Sequence, residues 1–128
     1  MKIVGIGVDI INNKRIQLSI KNKNFINRIF GKNEILVSKK FKNKANFFSK
    51  RFAAKEALAK AIGIGFRENL NFKDIQIVNN KFGKPHYLIS SKIKSLIKKK
   101  KKIKNFDLFL SISDEKEYSI AFTMIEKN

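Results

Sequence analysis

Cysteine and tryptophan are absent from this 128-residue chain, and proline and histidine occur once each. Without cysteine there is no disulfide, no thiolate metal site and no cysteine nucleophile, which fits a reducing cytoplasm. The one histidine, His86, directly follows Pro85 at the start of a short apolar run and reads as structural or exposed. With a single histidine no nucleophile triad presents itself. Acid is scarce too: 10 Asp and Glu stand against 29 Lys and Arg, a net charge of +19. No apolar run approaches the ~20 residues that a membrane helix needs, and the apolar N-terminus is too brief for a signal peptide. The chain is therefore expected to be soluble and cytoplasmic. Its 43% hydrophobic content suits one globular domain over residues 1–128.

What the chain has in abundance is lysine. Only four basic residues are arginine, namely Arg15, Arg28, Arg51 and Arg67. The lysines keep company with many Asn, Ile and Phe, the mixture that A+T-rich coding produces. Lys98 to Lys102 reads as a solvated helix end. Positive charge selects acidic partners, whether nucleic acid, phosphorylated cofactor or acidic protein, without choosing among them. A nucleic-acid module built on that run would lose affinity steeply with salt. Such a reading leaves the settings of Asp9 and Glu56 unexplained. The 12 Phe must mostly fill the core.

Residues 3–11 alternate as a strand. Val4, Ile6, Val8 and Ile10 share one face; Gly5, Gly7 and Asp9 share the other, which is bare enough for something to approach the backbone. Short helices are expected over about 14–21, around Phe25 to Phe30, and after an Asn33 cap. A long helix spans about 44–62, with Ala54, Leu58 and Ala61 as a stripe beside Ala57 and Gly63 as its stop. Small residues on that stripe suggest close approach to a sheet. Strands follow at 72–78 and 86–89, then a helix to about Lys101, then an antiparallel hairpin from 106–113 and 118–126. The order predicts an α+β fold, an antiparallel-rich sheet packed on helices.

Two carboxylates attract chemistry. Asp9 ends the glycine-cleared strand face, and Glu56 sits between Lys55 and Lys60 in Arg51-Phe-Ala-Ala-Lys-Glu-Ala-Leu-Ala-Lys60. Asp and Glu are hard oxygen ligands, and one or two of them with phosphate and water are usual for Mg²⁺. Lysines on either side suit a pyrophosphate. A plainer reading stands beside this one: Glu56 and Lys60, at i and i+4, form a surface pair worth about 0.2–0.5 kcal/mol, and Asp9 caps a helix. Spacing leaves both open.

Four segments together resemble the holo-[acyl-carrier-protein] synthases, the small branch of the 4′-phosphopantetheinyl transferase superfamily. They are Gly5-Ile-Gly-Val-Asp9-Ile, the Arg51 to Gly63 helix with its stop, Gly83-Lys84-Pro85 and Ser111-Ile-Ser113. The resemblance implies transfer of the phosphopantetheine arm of coenzyme A to a serine of apo acyl carrier protein, with release of adenosine 3′,5′-bisphosphate, in support of fatty acid synthesis. It implies that Asp9 and Glu56 hold Mg²⁺, that Glu56 and Lys60 are catalytic, and that Lys60 contacts phosphate. It implies that Gly63, Gly65, Lys84, Pro85 and Ser113 line the coenzyme A site. It further implies a homotrimer with sites between subunits, and a first helix that docks the acidic carrier through Arg15, a surface Arg28 extends. No membrane and no specific nucleic acid belong to this picture. The chain departs from the pattern at Asp114, where many members have histidine, and at Ile64, where threonine is common.

Overall fold

The computed structural model describes residues 2–64 and 70–128. The chain runs β1 (Lys2–Asn12), α1 (Asn13–Ser19), α2 (Lys23–Ile29), α3 (Lys32–Ser38), α4 (Lys44–Ile62), a 3-10 turn (Phe72–Asp74), β2 (Ile75–Asn79), β3 (Pro85–Ile89), α5 (Ser91–Lys101), β4 (Phe106–Asp114) and β5 (Tyr118–Lys127). Strands β1, β5 and β4 form one antiparallel sheet in that order, and β2 pairs with β3 in a second, two-stranded one. The α+β architecture expected from element order is the one observed.

Helix α4 lies at the centre. It packs on β1 and β5, while α1, α3, α5 and β2 close over its other sides. Phe47, Phe48, Phe52, Ala53, Ala54, Ala57, Leu58, Ala61 and Ile62 are all buried, so apolar residues surround the helix rather than forming a single stripe. Its N-terminus is capped by the Asn43 side chain, and Gly63, at φ 88°, ends it in a left-handed turn. Lys102 takes the same conformation after α5, at φ 56°.

The glycine face of β1 is where α4 arrives. A Cβ on Gly7 would stand 1.9 Å from the Ala57 carbonyl oxygen, and one on Gly5 would stand 2.3 Å from that of Ala61. Only glycine admits main chain this close. Alanines at 57 and 61 supply the matching shallow surface. A register shift between Ile3 and Gly5 leaves Val4 as an extra residue just before the glycines.

The other sheet face is open. Ile6, Val8, Ile10, Phe109, Ile120 and Phe122 are 39–60% exposed. In register, Val8 faces Phe122 and Ile10 faces Ile120, making contiguous apolar rows.

Two boundaries differ from the sequence expectation. Gly31, not Asn33, caps α3: its N–H donates to Glu34 Oε1 at 3.1 Å, so Glu34 closes the first turn from inside. Phe72–Asp74 forms a 3-10 turn because the Asn71 side chain accepts from Lys73 N at 3.0 Å and curls the chain before β2 begins.

Candidate active site

Past the two glycines, Asp9 is the first side chain on the helix-facing side of β1. Lys60, in the last turn of α4, reaches it. Lys60 Nζ donates to Asp9 Oδ1 and to the Val8 carbonyl oxygen, each at 3.0 Å. Since β1 is an edge strand, lysine here also satisfies a backbone acceptor. The other carboxylate oxygen, Asp9 Oδ2, is buried without a hydrogen-bond partner.

Glu56 completes the group one helical turn before Lys60. Burial pushes its carboxyl above the ordinary carboxylate value, and the charge of Asp9 pushes it further; Lys60 and Arg15 pull the other way. The i, i+4 pair foreseen as a surface contact is thus absent. Lys60 turns to Asp9, and the Glu56 carboxylate accepts no hydrogen bond from another described residue. Two carboxylates close enough to repel, one carrying an orphaned buried oxygen, make a position where a hard cation relieves both. Among the described residues no three His, Cys, Asp or Glu converge as a full metal cage. A Mg²⁺ site does not need one, because phosphate and water fill its remaining positions.

Lys55 does not belong to this group. Successive helix residues point about 100° apart, and Lys55 points into the protein with none of its side chain exposed. It forms an ion pair with Glu34 at 2.6 Å. Burial lowers its pKa, and Glu34 opposes the shift. Arg51 lies on the same inner side, its guanidinium 3.7 Å from the centre of the Phe47 ring, with burial lowering its pKa to about 10. Nothing in the sequence pattern distinguished the inward lysine from the outward one except the distant Glu34.

The remaining candidates are spread over the molecule. Gly63 ends α4 next to Lys60, while Gly65 lies outside the described residues. Ile64 is buried in the core, so its loss of a hydroxyl relative to threonine is matched by apolar packing. Pro85 opens β3 and Lys84 ends the turn before it, and no hydrogen bond or ion pair among the described residues joins them to Asp9 or Glu56. Ser113 sits opposite Ile120, on the sheet face turned away from α4. Asp114 accepts from Asn46 Nδ2 at 2.7 Å, tying the β4–β5 turn to the start of α4, a contact the sequence did not suggest. His86 is exposed, as expected.

Arg15 and Arg28 are exposed and share a groove of about 830 Å³, whose other charged lining residues among those described are Lys73 and Lys92. Phe25, Ile29, Phe52 and Phe72 make it apolar within. Because Arg15 also acts on Glu56, the groove and the carboxylates share a border.

The architecture is that of a phosphopantetheinyl transferase. Residues 5–123 match the model of the 4′-phosphopantetheinyl transferase superfamily, and the chain belongs to that family. Within it, the holo-[acyl-carrier-protein] synthase of Pelagibacter ubique (strain HTCC1062) is 61% identical over 127 residues, 99% of each chain. The crystal structure of the holo-[acyl-carrier-protein] synthase of Neisseria meningitidis superposes with a TM-score of 0.85 at 37% identity, covering 98% of this chain and 100% of that one. That of Bacillus anthracis, in complex with CoA (3′,5′-ADP), gives a TM-score of 0.81 at 36% identity over 98% of both chains.

Proposed function

We propose that this chain, acting as one domain over residues 1–128, transfers the 4′-phosphopantetheine arm of coenzyme A to a serine of apo acyl carrier protein. The serine oxygen forms a bond to the phosphorus that carries the arm. The anhydride P–O bond breaks, adenosine 3′,5′-bisphosphate leaves with the electron pair, and the serine gives up its proton to a base: a water, Glu56 or a group on the carrier. The observation that carries the reading is the orphaned, buried Asp9 Oδ2 together with a second carboxylate, Glu56, whose proton affinity the Asp9 charge raises.

Asp9 and Glu56 would hold Mg²⁺, which when bound offsets pyrophosphate charge and stabilises the departing bisphosphate. Lys60 is half exposed and can turn from Asp9 toward a phosphate oxygen. Gly63 ends the helix three residues after Lys60, and Gly65, which lies outside the described residues, is assigned to the same coenzyme site. Lys84, Pro85 and Ser113 complete the coenzyme site from a neighbouring subunit. The apolar sheet face supports that assembly: Ser113 shares it with Ile10 and Ile120, so burying the face in a homotrimer carries Ser113 to a subunit boundary. Arg15 and Arg28 present positive charge to an acidic carrier beside the carboxylates, which speeds encounter and orients it. A cytoplasmic setting suits these substrates, and no helix among the described residues is long and apolar enough to cross a membrane.

Incubating the protein with coenzyme A, Mg²⁺ and cognate apo carrier should yield a carrier heavier by one phosphopantetheine. A chelator should stop the conversion and excess Mg²⁺ restore it. An unchanged carrier mass with every component present defeats the proposal.

A further inference from the structure

Among the lysines of α4 only Lys55 is buried. Its Nζ donates to Glu34 Oε1 at 2.6 Å, to the Phe72 carbonyl oxygen at 2.9 Å and to the Ile29 carbonyl oxygen at 3.0 Å. An ammonium has three donors, so this set is complete. No donor is left for a phosphate.

Two of these acceptors belong to walls of the basic groove. Ile29 ends α2 directly after Arg28, and Phe72 opens the 3-10 turn directly before Lys73; all four residues line the groove. The ammonium therefore holds together, from beneath, the two chain segments that carry two of the rim cations. Glu34 supplies the countercharge. It also accepts from Gly31 N at 3.1 Å and from Ile77 N at 3.4 Å, bringing α3 and β2 to the same point. The face of the Phe30 ring lies 5.1 Å from the ammonium. Arginine cannot replace this tripod, because its planar fork does not send three bonds in diverging directions.

We infer that Lys55 is a positioning residue for the carrier-docking groove, holding its α2 wall and its 3-10 wall through the Ile29 and Phe72 carbonyls. This rests on the reading above that the groove receives the carrier protein. Lys55 sets the spacing of Arg28 and Lys73 and takes no part in binding coenzyme A. Its neighbour Glu56 belongs to the chemistry; Lys55, buried, supports the groove from within.

The test separates affinity for the two substrates. Apo carrier is titrated against the full-length protein by fluorescence anisotropy, and KM is measured for each substrate in turn. Lys55→Met should raise the carrier Kd and KM about tenfold or more. The KM for coenzyme A, and kcat at saturating carrier, should stay within about twofold. Glu34→Gln keeps every Lys55 donor and should shift carrier affinity the same way by a smaller factor. Lys55→Cys creates the chain's sole thiol. Aminoethylating that thiol in denaturant and refolding restores an ammonium at similar reach, and carrier affinity should return with it. A raised KM for coenzyme A with unchanged carrier affinity overturns the assignment. Should Lys55→Met fail to fold, Glu34→Gln decides, and unaltered carrier affinity there overturns it equally. Wild-type protein that binds no carrier defeats the carrier reading of the groove itself, before any variant is made.

Discussion

Glu56 and Asp9 approach each other with Lys60 bound to only one of them, and the stability of the metal-free protein should register that imbalance. Burial and the charge of Asp9 make the folded chain hold the Glu56 proton more tightly than the unfolded chain does, whose value is near 4.5. Folding is thus favoured while the carboxyl is protonated. Stability falls as pH rises from about 4.5 through the raised value, and stays lower above it. Glu56→Gln should remove that slope and raise the melting temperature of chelator-treated protein at neutral pH, read by calorimetry across a pH series. The same variant should transfer about a hundredfold less phosphopantetheine or worse, and Mg²⁺ should no longer raise its melting temperature. A variant that gains no stability would mean that the two carboxylates do not strain each other. Of these residues the sequence singled out Asp9 and Glu56 but left a surface pair and a helix cap open beside a metal site; the structure brings the two carboxylates together and gives Lys60 to Asp9. The sequence could not tell which lysine faces them. That depends on Glu34, 21 residues away, whose pairing with Lys55 is a tertiary contact.

At the scale of elements the crossing of α4 over β1 controls the rest. Gly7→Ala sets a methyl carbon against the Ala57 carbonyl, a main-chain atom that cannot swing aside. The strand or the helix must shift, at a cost of about 3 kcal/mol or more. The expected result is a lower midpoint in urea, with transfer lost even where the variant still folds. A variant of unchanged stability would argue against the close crossing. This crossing was readable before the structure, since glycines on one strand face and alanines on one helix face are complementary in shape. The 3-10 turn at Phe72 was not, because Phe-Lys-Asp-Ile-Gln-Ile alternates plausibly as a strand and only the Asn71 side chain bends it away. The burial of α4 on nearly every side was equally hidden: an alanine-rich helix with charged residues reads as amphipathic until two layers close on it.

For the whole molecule the open sheet face is the strongest constraint. The exposed row of Val8 and Phe122 is the face that the proposed assembly would bury. If the proposed assembly holds, Phe122→Glu should leave helix content intact by circular dichroism, lower the sedimenting mass to that of one chain, and abolish transfer by separating Ser113 from the subunit it is proposed to serve. An associated and active Phe122→Glu protein would break the proposed link between assembly and site. Behind that face, at Gly5 and Gly7, the peptide backbones of strand and helix rest almost directly on each other. The gap between Asp9 and Glu56 is therefore gauged by peptide geometry, which every amino acid shares, and not by side chains that mutation exchanges. The outer surface can fill with lysine, as A+T-rich coding favours, while the two carboxylates keep their separation. Tolerance of an extreme composition is housed in that short glycine track.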